Sequence, residues 1–238
     1  MDTFNSDMLV MGVLQYIVFL FSTTCHEAAH ALAAKLGGDN TAFHGGQVTL
    51  NPVPHIQREP FGMVVVPLLS LVTGSGLIGW ASAPYDPLWQ QRHPRRAAWM
   101  SLAGPAANFA LVLLAVLLIH LGIASGFFRA PEMLSRTHLV DATQGGAIEG
   151  VAMLLGVMFS LNLLLGCFNL LPLPPLDGFS AIGVLMSDGG IQRWNVWGQQ
   201  LRSYSFIGLL IGWQLLGYVY VPVFRAGLRL LYPHGGYF

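Results

Sequence analysis

Two histidines four residues apart, with a glutamate directly after the first, are the side chains of this sequence best suited to chemistry. They lie in the pentapeptide His26-Glu27-Ala28-Ala29-His30. On an α-helix, residues four apart lie one turn above each other on nearly the same face, so both imidazoles can reach one Zn²⁺ at about 2.0–2.1 Å. Glu27 lies roughly 100° around the helix, where it can take a proton from water without binding the metal. The motif predicts a zinc site with Glu27 as general base.

Two histidines leave such a site one ligand short, because a catalytic zinc usually has three protein ligands and one open position. Asp177 is the candidate for the third ligand, since it is the one carboxylate of the apolar stretch 151–186. Prolines 172, 174 and 175 come shortly before it, and they cannot continue a regular helix. An unwound stretch at membrane depth is tolerated only where it lines protein or a water-filled cavity. The alternative for Asp177 is a helix N-cap at the membrane surface.

The composition says what kind of protein must position these residues. Of 238 residues, 54% are hydrophobic and only 9% are charged, whereas soluble domains are about 25% charged. The 11 basic and 11 acidic residues balance, so there is no basic face for nucleic acid. The sequence therefore predicts an integral membrane protein in contact with the lipid bilayer. An ionisable side chain inside a membrane segment is costly and is a functional hypothesis by default, which favours the metal site over two structural histidines or a chance match.

Five apolar stretches predict an all-α polytopic membrane protein built as one domain over residues 1–238. Each stretch is close to the roughly 20 residues that a helix needs to cross the hydrocarbon core, at 8–36, 61–80, 97–124, 150–171 and 206–223. Polar, turn-rich segments at 43–60 and 81–96 predict interfacial loops with short β elements, including a strand over 47–50.

Topology predicts that the second stretch, 61–80, re-enters the membrane instead of spanning it. If all five stretches crossed, Asp177 would reach the opposite face from His26 and His30. Glycines at 74, 76 and 79 supply a break for a return. The re-entrant arrangement also places seven basic residues on the cytoplasmic side, which agrees with the positive-inside rule: Lys35, Arg58, Arg92, Arg95, Arg96, Arg193 and Arg202. The active site is then expected towards the cytoplasm.

Three motifs in order resemble the site-2 protease family of intramembrane zinc metalloproteases (peptidase family M50). They are His26-Glu27-Ala-Ala-His30, Gly104-Pro105-Ala-Ala-Asn108 and Asn169-Leu-Leu-Pro172-Leu-Pro174-Pro-Leu-Asp177-Gly178. The resemblance implies a site-2 protease-like helical core in which His26, His30 and Asp177 bind zinc. It implies that Glu27 is the general base and that Asn169 lies in the substrate groove. The chain is similar to the compact members, without a PDZ or CBS domain.

Several other polar residues have two interpretations each. Asn108 either lies at the catalytic region and groove, as the family motif suggests, or forms a hydrogen bond between helices, the role expected for Asn162. His44 and His55 are expected to be solvated loop residues more than ligands. Cys25 is expected to pack against neighbours, because it points about 100° away from His26.

The sequence thus predicts a zinc endopeptidase of the prokaryotic cytoplasmic membrane that hydrolyses peptide bonds in or near transmembrane segments of its protein substrates. A metal transporter using the same His and Asp residues, or a non-proteolytic membrane scaffold with the same fold, are the alternatives. A transporter needs polar residues across the full membrane depth, whereas the sequence shows one cluster. The identity of the substrate and the oligomeric state stay open at this stage.

Overall fold

The chain is mostly helical in a computed structural model, which describes residues 6–74, 76–136 and 138–233. In chain order the helices are α1 (Ser6–Leu36), α2 (Thr41–His44), α3 (Pro52–Arg58), α4 (Phe61–Val72), α5 (Pro87–Arg92), α6 (Pro94–Ala124), α7 (Ala147–Asn169), α8 (Asp177–Ala181), α9 (Asp188–Leu201) and α10 (Ser205–Leu231). The strands β1 (Phe128–Arg129) and β2 (Asp141–Ala142) form one antiparallel pair between α6 and α7.

Four of the helices in the described part of the chain, α1, α6, α7 and α10, are long and apolar enough to cross a bilayer. The shortest of them, α7, has 23 residues, which at 1.5 Å per residue gives about 34 Å. A typical hydrocarbon core is about 30 Å thick. The prediction of an all-α polytopic membrane protein is therefore confirmed.

Helix α6 lies at the centre of the bundle and packs against both α1 and α7, while α10 packs mainly on α7. Ala31 of α1 and Ala115 of α6 are fully buried, because small side chains let membrane helices approach closely. Phe159 of α7 and Ile119 of α6 are also fully buried and belong to the main apolar core. This arrangement leaves α1, α6 and α7 in mutual contact, and the polar residues of α1 face into that contact.

The segment 61–80 folds back on itself, with a helical first arm and an extended second arm, as the re-entrant prediction requires. Helix α4 occupies only the first half, and the chain then turns through Gly74 and Gly76, both at positive φ. It returns extended beside α4, where the Trp80 amide donates to the Gly62 carbonyl at 3.0 Å. At the base, the Arg58 Nε donates to the Ser82 carbonyl at 3.1 Å. These bonds bring the two ends of the segment together. With only 12 residues, α4 is also too short to cross a bilayer.

The expected strand over 47–50 is wrong, since this stretch forms bends. Residues in and next to this stretch instead form hydrogen bonds with α3. Asn51 Oδ1 accepts from the Val53 amide at 3.0 Å, and the Thr49 carbonyl bonds with His55 Nε2 at 3.1 Å. These local side-chain bonds compete with strand pairing. The short β pair lies between α6 and α7 instead.

The helix α7 ends just before the proline-rich segment, as predicted, and the short helix α8 begins directly after it. Helix α7 stops at Asn169, and turns carry the chain to Asp177, the first residue of α8. A β-carbon at Gly178 would overlap the carbonyls of Leu170 and Leu171. Only glycine therefore lets the chain fold back this closely on the end of α7, and this return places Asp177 in the bundle.

Candidate metal centre

The two histidines of α1 lie side by side at the contact between α1 and α6. His26 and His30 are each 7% exposed, and their Nε2 atoms are 3.0 Å apart. Their rings meet edge to face with centroids 4.7 Å apart. The spacing of four residues therefore produces the expected alignment, with one nitrogen of each ring pointing at a shared position.

Asp177 joins the two histidines from the far side of the break after α7. Its Oδ2 lies 3.0 Å from Nε2 of His26 and 3.2 Å from Nε2 of His30. In the described residues, this trio is the one group of three or more His, Cys, Asp and Glu side chains placed to hold a metal ion. The N-cap alternative fails, because Asp177 lies inside α8 and Leu176, in extended conformation, precedes the helix.

Hydrogen bonds on the other ring nitrogens decide what the trio can bind. His26 Nδ1 lies 2.6 Å from Asn108 Oδ1, and His30 Nδ1 lies 2.7 Å from the Met100 carbonyl. Both partners are oxygens that accept, so each Nδ1 carries a proton, and a neutral ring then presents the lone pair of its Nε2. Two imidazole Nε2 atoms and a carboxylate oxygen thus converge within a few ångströms, and with both rings neutral this set suits a cation between its members.

Zinc suits this donor set in both chemistry and spacing. Two imidazoles and one carboxylate are a known ligand set of catalytic zinc. Donors held about 2.0–2.1 Å from a tetrahedral ion lie about 3.3 Å from each other, and the three separations here are 3.0, 3.0 and 3.2 Å. Small outward movements of the side chains therefore accommodate the ion.

Glu27 is buried next to the trio but does not belong to it. Its side chain is 5% exposed, and it lies outside the three side chains that are placed to hold a metal ion. A buried carboxylate is costly, and one retained beside such a group is typical of a residue with a chemical role. Its place on the helix, about 100° from His26, agrees with the prediction of a neighbouring base.

Gly104 is a site residue whose role the sequence did not indicate. It lies on α6 directly opposite the histidines, and a β-carbon there would overlap Nε2 of both His26 and His30. The resemblance included this glycine in a motif, but a glycine carries no functional group that signals chemistry. Because Gly104 has no side chain, it leaves space beside the Nε2 atoms of the two histidines.

The other predicted residues lie in different surroundings. Asn108 is fully buried and bonds both His26 and, across to α7, Asn162, so it makes the bond to the catalytic region and the bond between helices. Asn169 is half-buried at the end of α7. His44 is exposed, as expected. The expectation of a solvated His55 is wrong, because His55 is buried and its Nε2 bonds with the Thr49 carbonyl. Half-buried Cys25 is a free thiol outside the trio.

Comparison with known proteins identifies the family. Residues 15–193, which contain all three donors, match the sequence profile of peptidase family M50. The chain belongs to peptidase family M50. As an M50 protein it is a zinc metalloprotease, with zinc as its cofactor.

Several bacterial proteins align over most of the chain. One relative in Bacillus subtilis (strain 168), named "Putative zinc metalloprotease YwhC", is 34% identical over 95% of this chain and 93% of its own length. A second relative, "Putative zinc metalloprotease Rip2" of Mycolicibacterium smegmatis, is 34% identical over 72% of this chain and 58% of its own length. Rip2 of Mycobacterium tuberculosis is 31% identical over 72% of this chain. No solved structure matches the chain.

Proposed function

We propose that this M50 protein is an intramembrane endopeptidase that hydrolyses peptide bonds in or near transmembrane segments of membrane proteins. The observation that carries the proposal is the convergence of His26, His30 and Asp177 among helices long enough to cross a bilayer. Ionisable groups at such depth are retained for function. A hydrolytic site that is enclosed by membrane helices is most accessible to the transmembrane segments of other proteins, which we therefore propose as its substrates.

In this proposal the trio holds the metal and Glu27 handles the proton. His26, His30 and Asp177 are the three protein ligands, which leaves one coordination position for water or substrate. When bound, zinc polarises the scissile carbonyl and makes water a stronger acid. Glu27 accepts the proton of the attacking water and passes it to the nitrogen of the leaving amine. Glu27 is suited to this transfer because it directly follows the ligand His26 on α1 and is buried beside the site.

The substrate must reach the site as an extended chain, since the amides of an intact helix are bonded and shielded. We assign the substrate groove to the turn after α7, next to Asn169. This segment is irregular and connects directly to Asp177, so a substrate held along it would pass the donors. The stretch 47–50 is a weaker choice for pairing, because it lacks the strand that such pairing needs.

We place the site towards the cytoplasm, with residues 61–80 re-entrant from that side. The basic ends of several elements meet there: Arg96 Nη1 donates to the Gly37 carbonyl at 3.1 Å, and Arg95 pairs with Asp188 at 2.7 Å. These contacts join the end of α1 to the starts of α6 and α9. A cluster of cations at one end of a bundle favours the cytoplasmic face.

The proposal is tested by proteolysis in reconstituted vesicles. The purified protein is mixed with a reporter that has a single transmembrane segment, and cleavage and bound zinc are both measured. Glu27→Gln should retain zinc and lose cleavage by at least about 100-fold, because the general base contributes 10²–10⁴-fold. Glu149→Gln is the matched control, since Glu149 is exposed in the first turn of α7.

Each outcome decides between the candidate functions. Full cleavage by the Glu27→Gln variant contradicts the role of Glu27. A wild-type protein that binds zinc and leaves the reporter intact contradicts the endopeptidase. Zinc uptake into the vesicles without cleavage favours the transporter.

A further inference from the structure

A row of buried polar side chains leads from His26 through α6 into α7 and back to α1. Asn108 Oδ1 lies 2.6 Å from His26 Nδ1, and Asn108 Nδ2 donates to Asn162 Oδ1 at 2.9 Å. Asn162 Nδ2 donates in turn to the Met158 carbonyl and to Ser22 Oγ, both at 2.8 Å. Ser22, Asn108 and Asn162 are all completely buried, so water does not compete for these bonds.

The row has a fixed direction because one of its ends is a backbone carbonyl. The Met158 oxygen can only accept, so the NH₂ group of Asn162 must face it and the Asn162 oxygen must face α6. That oxygen requires a donor, which turns the NH₂ group of Asn108 towards it. The Asn108 oxygen then faces His26, and Nδ1 of His26 must carry a proton. Nε2 of His26 is left with the lone pair that a metal requires.

His30 reaches the same state through a single bond. Its Nδ1 lies 2.7 Å from the Met100 carbonyl, which fixes the tautomer directly. The tautomer of His26 depends instead on three successive bonds, and an isolated Asn108 could rotate its amide and offer NH₂ to the ring. Asn162 supplies the constraint that an isolated Asn108 lacks.

We propose that Asn162 is a positioning residue of the metal centre, acting through Asn108 to hold the metal-binding tautomer and orientation of His26. The inference rests on the proposed assignment of His26 as a zinc ligand. Asn162 touches neither the metal donors nor Glu27 through any described hydrogen bond. This positioning role differs in its expected effect from a purely structural bond between helices. A purely structural bond would affect stability and leave zinc affinity unchanged.

The test measures the zinc dissociation constant of detergent-solubilised protein by chelator competition. Asn162→Ser should bind zinc about 10-fold more weakly or worse, the usual cost of losing a partner behind a ligand. Asn162→Leu removes the same bonds without shortening the side chain and should behave alike. Ser160→Ala is the matched control on α7, because Ser160 donates only to the Arg136 carbonyl at 2.6 Å, outside the row.

A double-mutant cycle shows whether Asn162 acts through Asn108. Asn108→Ser should weaken zinc binding at least as much as Asn162→Ser, and the double variant should bind no more weakly than Asn108→Ser alone. Effects that simply add would show independent action and overturn the inference. The optical spectrum of the Co²⁺-loaded protein should change in the same variants, as a readout of ligand geometry.

The failure of this inference differs from the failure of the proposed function. Zinc binding by the wild type with unchanged affinity in both Asn162 variants overturns the positioning role alone, even if their thermal stability falls. If the His26→Ala variant binds zinc as tightly as the wild type, the ligand assignment on which the inference rests is overturned.

Discussion

Gly104 of α6 faces His30 of α1 so closely that a β-carbon on Gly104 would overlap Nε2 of the histidine. Gly104→Ala should therefore lower zinc affinity by at least about 10-fold, comparable to losing a partner behind a ligand, because the methyl group occupies the space beside the donors. Zinc bound per protein at limiting metal concentration measures the effect.

Gly217→Ala provides the comparison for Gly104→Ala. Gly217 also lies inside a long helix, but a β-carbon there would meet nothing within 4 Å. Alanine is favoured over glycine in helices by roughly 1 kcal/mol, so this variant should keep its zinc and gain slightly in thermal stability. Full zinc binding by Gly104→Ala would contradict the prediction, because it would show that α1 and α6 can move apart to accommodate the methyl group.

Asp177→Ala should reduce zinc binding sharply, because two imidazoles alone give an incomplete site. Zinc content after dialysis against a weak chelator is the measurement. Asp188→Ala is the control: Asp188 also begins a helix, but it is exposed and pairs with Arg95. Equal zinc content in the two variants would remove Asp177 from the ligand set.

Cysteine labelling should place both ends of the 61–80 segment on one side of the membrane. In a background with Cys25→Ser and Cys167→Ala, single cysteines at Arg58 and Ser82 should react with the same membrane-impermeant reagent, from the cytoplasmic side. The reason is that these two residues are hydrogen-bonded to each other. Labelling from opposite sides would mean that the segment crosses the bilayer.

Asp39 should make the loop after α1 sensitive to acid. Burial raises the pKa of Asp39, but hydrogen bonds from the Thr41 hydroxyl and from the amides of Asp86 and Thr41 outweigh this effect and hold the pKa below its ordinary value. A lowered folded-state pKa stabilises the protein above the unfolded pKa of about 3.9, and the contribution disappears as pH falls through the folded value.

The Asp39→Asn variant measures this contribution. It should be less stable than the wild type at neutral pH by about 1.5–3 kcal/mol, the net value of a hydrogen bond to a charged group. Thermal unfolding followed from pH 7 to pH 3 should show the two proteins converging towards acid. A constant difference in melting temperature across this range would rule out the titration of Asp39 as the cause.

The sequence determined the class of protein and the local half of the site. Its low charge and long apolar stretches predicted the four membrane helices, because backbone groups in lipid must bond within their own helix. The spacing of His26 and His30 predicted their alignment, since helix geometry alone decides it. The prolines before Asp177 predicted the end of α7 for the same local reason.

Only the tertiary structure decided what surrounds those residues. The space at Gly104, the row from His26 to Asn162 and the return of Asp177 to the histidines join residues distant along the chain, so neither periodicity nor spacing contains them. The strand expected over 47–50 failed because Asn51 and Thr49 bond locally to start α3. Neighbouring residues determine where a helix begins and ends and which side chains align on it, whereas the direction of a hydrogen-bond row depends on which helices pack together.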